Sequence, residues 1–148
     1  MKLKIINGPN LNMLGQREPE IYGGRNLGDI QRGLTAQFPD VEIHHFQSNI
    51  EGELIDEIQH SDQKYDGIIL NPGGYAHTSV AIADAIAAIS TRVVEVHLSN
   101  IHAREEYRHH SLTGAKCTGI ISGFGVESYV LAVQYFINAA RKHAGSAG

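Results

Sequence analysis

Five short runs rich in β-branched residues punctuate the chain: LKIIN at 3–7, VEIHHFQ at 41–47, GIILN at 67–71, RVVEVHLS at 92–99 and CTGIISG at 117–123. Runs of this length suit strands and are too short for ordinary helices. Between them the period changes. Leu27, Ile30, Leu34 and Phe38 recur at helical spacing, as do Leu54, Ile55 and Ile58, and Ser48-x-x-Glu51 has the form of a capping box for that second helix. A third helix is predicted from near Thr78 through VAIADAIAAI, and a last one carries Tyr129, Val133, Phe136 and Ile137. Strands joined through helices run parallel, because each helix carries the chain back to the edge where the previous strand began. The expected architecture is α/β: a flavodoxin-like, doubly wound five-stranded parallel sheet with helices on both faces.

The chain has 148 residues and 42% hydrophobic content, enough for one domain with a proper core. A single catalytic domain over 1–148 is expected, with a small, polar tail from about 141 that frays. The net charge of −4 argues against a dedicated nucleic-acid binder, so any cations that hold an anionic ligand must be local. Cys117 stands alone, which excludes an intrachain disulfide and fits a reducing compartment. The start MKLKIINGPN is too briefly apolar for a signal peptide, and no segment approaches a membrane span. A cytoplasmic protein with neither membrane nor nucleic-acid partners is expected.

In open α/β sheets, ligands bind beyond the carboxyl ends of the strands. Here those ends read Asn7-Gly8-Pro9-Asn10, Gln47-Ser48-Asn49, Asn71-Pro72-Gly73-Gly74, His97-Leu98-Ser99-Asn100 and Ser122-Gly123. Caps and turns favour such residues too, but they do not call for a histidine or a run of amides. The first loop, NGPNLNMLGQREPEIYGG at 7–24, sits where many folds cradle a phosphate. It has no GxxxxGK[ST] or GxGxxG, it lacks Ser and Thr, and Pro9 removes a backbone donor. A phosphorylation receiver would end its third strand in Asp, and this one ends in Asn71. The loop is not a phosphate cradle.

Several residues near these ends can carry chemistry. A period of two puts Glu95, His97 and Ser99 on one face of the fourth strand, and a carboxylate beside an imidazole fixes its tautomer and suits it to general acid work. In NIHAREEYRHH, read as a short helix, Arg104 and Arg108 lie four apart. Either an anion lies between them, or they lie on a solvated face with Glu105 paired to Arg108. Gly73 and Gly74 allow a ligand close to backbone amides, Asn71 offers a donor and an acceptor, and His77 lies near a helix start. Asp84, two turns on, reads by itself as an exposed helix carboxylate. Tyr22 is either a lid side chain or a base, since guanidinium groups such as Arg17 and Arg108 favour a phenolate. The nine histidines include no HExxH, and His44-His45 and His109-His110 are adjacent pairs, so no metal is expected.

Together, INGPNLNMLGQREPEIYG, FQSNIEGELID, ILNPGGYAHTSVAIADA and EVHLSNIHAREEYRHHS resemble type II 3-dehydroquinate dehydratase over nearly the whole chain. The resemblance implies a flavodoxin-like fold without metal or organic cofactor. It implies a lyase that dehydrates 3-dehydroquinate to 3-dehydroshikimate by anti elimination through an enolate, on the shikimate route to chorismate. It assigns Tyr22 as base, Arg17 as the lid arginine that supports it, and His97 as the acid with Glu95 as partner. Asn10, with Gly73 nearby, matches the amide that positions a water at the enolate oxygen. Asn71 and the backbone amides of Leu98 and Ser99 match the carboxylate site, while His77 and Arg108 match contacts to ring hydroxyls. Asp84 matches a residue that reaches a neighbouring subunit's site, and Arg104 a supporting charge. The loop becomes a lid over 16–24, and the assembly a homo-oligomer, a dodecamer built from trimers.

Other readings remain beside it. Type I enzymes for the same conversion need a barrel of about 250 residues and a Schiff-base lysine. This chain is too short, and none of its lysines falls in a candidate site motif. A non-catalytic binding module on the same fold, or a lyase for a different cyclic hydroxy acid, would use the same strand ends.

Overall fold

The computed structural model describes residues 1–16 and 25–147. Arg17 and Tyr22 lie outside the described residues. Strands β1 (Lys2–Asn7), β2 (Glu42–Gln47), β3 (Gly67–Asn71), β4 (Val93–His97) and β5 (Gly119–Ser122) form one parallel sheet in the order β2-β1-β3-β4-β5. The helices are α1 (Leu27–Gln37), α2 (Glu51–Ser61), α3 (Val80–Ala88) and α4 (Glu127–Ala147). The flavodoxin-like, doubly wound architecture expected from the alternation is the one observed. The last helix continues to Ala147, through residues expected to fray.

The two faces of the sheet bury separate cores. On one, Leu3, Ile5, Ile69, Val94 and Val96 pack against Ile30 and Leu34 of α1 and Tyr129, Val133 and Phe136 of α4. On the other, Ile6, Ile68, Leu70 and Val93 meet Leu54 and Ile58 of α2 and Ile82 and Ile86 of α3. Central β3 is buried along its length and reads as an unbroken apolar run until Asn71, as a two-sided parallel strand should. Lys4 interrupts the run in β1. It is 9% exposed, and its Nζ lies 2.7 Å from Glu57 Oε1, so its charge is paired where water is scarce.

Strand order sets the position of the site. From β1 the chain steps outward to β2, then returns past β1 to β3. The winding reverses between β1 and β3, which leaves a crevice at their carboxyl ends.

Two local expectations are corrected. The proposed box at Ser48 and Glu51 does not form. The N-cap of α2 is Ile50, Ser48 Oγ donates to Glu53 and accepts from the Ile50 amide, and Glu51 takes the Ser79 hydroxyl at 2.7 Å. The segment NIHAREEYRHH is not one helix but two three-residue 3-10 turns, Ile101–Ala103 and Glu106–Arg108, with Arg104 extended after the first. No described helix is long and apolar enough to cross a membrane.

Candidate active site

The site is built outward from β4. Glu95 is 0% exposed, and a carboxylate removed from water must be met by donors. Three are in place: the Thr113 hydroxyl donates to Oε1, and Ser111 Oγ at 2.6 Å and His97 Nε2 at 2.8 Å reach Oε2. An ionised carboxylate only accepts, so the His97 proton on this side sits on Nε2, and Nδ1 is the nitrogen available to a ligand. The shared face expected for Glu95 and His97 is therefore a direct contact.

His77 lies alongside, its ring stacked on that of His97 with centroids 6.2 Å apart. Its Nδ1 donates to the His110 carbonyl at 2.8 Å, which leaves Nε2 of the neutral ring as an acceptor. Burial holds His77 below the usual histidine range, helped by nearby His97 and Arg108 and opposed by the His110 carbonyl.

The crevice between β1 and β3 forms the opposite wall. Asn71 is 3% exposed; its Nδ2 donates to Tyr129 Oη at 3.1 Å and its Oδ1 accepts from the Gly73 amide at 3.2 Å. Gly73 has φ +60°, and a Cβ there would lie 2.9 Å from the Pro9 carbonyl oxygen. The loops after β1 and β3 are therefore in backbone contact at this point. Asn10 is itself left-handed at φ 71°, a conformation Asn tolerates better than most residues, and its amide donates to Asn49 Oδ1 at 2.9 Å.

Beyond β4, Arg104 Nη1 lies 3.4 Å from Ser99 Oγ, while Arg108 Nε donates to Glu105 at 2.8 Å. The Glu105–Arg108 pairing of the second reading forms. Both arginines nonetheless line the cleft.

One cleft of about 180 Å³ gathers most of the expected residues. From the β1 and β3 ends come Asn10, Asn71, Gly73 and His77; from β4 and the turns after it come His97, Leu98, Ser99 and Arg108. Glu95 stands directly behind His97. Asp84 is exposed on α3 and does not line this cleft. Three kinds of contributor escaped the sequence reading: an apolar wall of Leu11, Met13, Leu14 and Ile101, the hydroxyls of Ser111 and Thr113, and the Tyr129 phenol. Tyr129 was visible only as one apolar step in a helical period.

Fold and site together define an α/β enzyme whose cleft sets an imidazole, backed by a buried carboxylate and flanked by guanidinium groups, opposite the amides of the β1 and β3 ends. The sequence profile described as "Dehydroquinase class II" matches residues 1–137, and the chain belongs to that family. A 3-dehydroquinate dehydratase of Bacillus licheniformis is 51% identical over 140 residues, 93% of this chain and 97% of that protein. One from a Synechococcus species is 49% identical over 146 residues, 97% of this chain and 100% of the relative. The crystal structure of a type II dehydroquinase from Butyrivibrio crossotus superposes with a TM-score of 0.89 at 44% identity, covering 92% of this chain and 97% of that one.

Proposed function

We propose that this chain dehydrates 3-dehydroquinate to 3-dehydroshikimate by anti elimination through an enolate, on the shikimate route to chorismate. The observation that carries the reading is the Glu95–His97 pair, set at the end of β4 and opening on a cleft of amides and arginines in a chain of this family. The substrate is a cyclic carboxylate with a ketone and ring hydroxyls. Asn71 and the backbone amides of Leu98 and Ser99 receive its carboxylate, and His77 and Arg108 meet the hydroxyls. Arg104 adds positive charge to the same wall.

Tyr22, held as phenolate with the help of Arg17, takes the proton beside the ketone. The electron pair moves to the ketone oxygen, where a water positioned by Asn10, with Gly73 nearby, stabilises the enolate. Preorganised donors at such an oxygen are worth about 3–4 kcal/mol each when measured by deletion. The enolate then collapses, the C1–O bond breaks, and His97 delivers its Nδ1 proton so that the hydroxyl leaves as water. The donor is the doubly protonated ring, which Glu95, bonded to Nε2, orients and whose charge it stabilises. No metal or organic cofactor takes part. The loop over 16–24 acts as a lid, and the chain works in the cytoplasm as a dodecamer of trimers in which Asp84 reaches a neighbour's site.

The test is ultraviolet absorbance of the enone product after 3-dehydroquinate is added, with Tyr22→Phe and His97→Ala in parallel. The wild type is expected to make enone, and each folded variant to lose about 10²–10⁴-fold in kcat. A wild type that binds the substrate without forming enone would favour the binding module. Equal rates in Tyr22→Phe would leave the reaction standing and remove the base.

A further inference from the structure

The first turn of α4 is tied to the site by buried polar bonds that no step of the proposed reaction uses. Tyr129 is 0% exposed, and its hydroxyl lies between two strand-end amides, Asn7 at the end of β1 (1% exposed) and Asn71 at the end of β3 (3% exposed). One residue earlier, Ser128 Oγ donates to the His97 carbonyl at 3.2 Å. One helical turn thus grips the ends of β1, β3 and β4.

The direction of every bond in this chain is determined. The Gly73 backbone amide can only donate, so the Asn71 atom 3.2 Å from it is the carbonyl oxygen. The Asn71 nitrogen therefore faces Tyr129, at 3.1 Å, and an amide nitrogen also only donates. The phenol oxygen must accept there, and its single proton goes to Asn7 Oδ1. Turning the Asn71 amide over would set two donors against each other at Gly73 and two acceptors at Tyr129, where burial makes unmet polar groups costly. With one Nδ2 proton committed to Tyr129, the other remains for the cleft that Asn71 lines.

We propose that Tyr129 is a positioning residue that acts through Asn71, locking its amide together with the Gly73 N–H so that an N–H and never the oxygen is offered to the substrate's carboxylate. The step to the carboxylate rests on the reaction proposed above. The orientation of the amide does not.

A phenol that served only to fill the core would be replaced by phenylalanine without consequence for binding. Tyr129→Phe is expected to raise KM for 3-dehydroquinate about tenfold while kcat changes less than about threefold, because a carboxylate contact is made equally in ground and transition states. In an Asn71→Ala background the same substitution should leave KM unmoved, since the residue it acts through is gone. A KM unchanged in Tyr129→Phe, or a KM effect that persists beside Asn71→Ala, would overturn the proposal. Nuclear magnetic resonance of the unmodified protein supplies a reading that needs neither turnover nor a folded variant. The Asn71 side-chain protons should exchange with solvent more slowly than those of exposed Asn10, and equally fast exchange would refute the lock. If the wild type makes no enone yet Asn71 is protected, the reaction is wrong and the lock stands.

Discussion

At the residue scale, the most demanding position is Glu95, a carboxylate with no exposure and three donors around it. Its pairing with His97 was legible in the sequence because the two lie two apart on a strand, where the side chains alternate between faces. Ser111 and Thr113 were not legible. They come 16 and 18 residues after Glu95, beyond two 3-10 turns whose return path no periodicity records. Their contribution can still be measured. Thr113→Val keeps the shape and removes the hydroxyl, leaving Glu95 Oε1 without that donor. Kinetics should show kcat lowered about tenfold with little change in KM, since Glu95 bears on the charge of the His97 ring, which changes only as the ring gives up its Nδ1 proton. An unchanged kcat in the folded variant would show that Ser111 and His97 are sufficient.

At the element scale, the strands were read to within two residues at each end, and three helices began close to where their periods did. Helix caps were less legible. Ser48 and Glu51 have the right letters and spacing, but their side chains take other partners: Ser48 bonds the Ile50 amide and Glu53, and Glu51 accepts the Ser79 hydroxyl and so ties α2 to α3. The box that does form is Asn26–Asp29 at the start of α1, where Asn26 accepts from the Asp29 amide at 2.8 Å and Asp29 accepts from the Asn26 amide at 3.1 Å. Asn and Asp in these roles imitate a turn as readily as a cap, which is why the sequence alone does not mark them. Asn26→Ala should destabilise the fold by about 1 kcal/mol. In a domain of this size that is a melting temperature lowered by about 2–4 °C, read by circular dichroism. Ser48→Ala tests the contrast, because any loss it causes belongs to the loop and to Glu53. If Asn26→Ala leaves the melting temperature unmoved, the cap adds nothing to α1.

At the scale of the whole molecule, sheet topology was legible because helix and strand alternation forces parallel pairing, whereas the chemistry of individual buried positions was not. His45 is the clearest case. In β2 it shares a face with Ile43, which packs on the α1 and α4 core, and both of its ring nitrogens are enclosed with no hydrogen-bond partner among the described residues. Burial, followed by the neighbouring charges of His44 and Lys4, lowers its pKa to about 4. The sign follows from linkage. The unfolded chain takes up a proton near pH 6.5 and the folded chain does not, so the unfolded state binds more protons between about 6.5 and 4, and stability falls as pH falls through that window. His77, also lowered by burial, acts in the same direction. Asp62, lowered chiefly by its bond from the Thr91 amide, contributes stability that is lost only at pH below the ordinary carboxylate range. Allowing for partial solvent screening, His45 should account for about 1–2 kcal/mol lost between pH 6.5 and 4.5. Melting temperatures measured from pH 7.5 to 4.5, at one protein concentration so that any assembly contributes equally, should fall with acid. His45→Leu should flatten that fall by removing both the titrating ring and its two unpaired nitrogens, leaving the share that belongs to His77. A slope as steep in His45→Leu as in the wild type would remove His45 from the account.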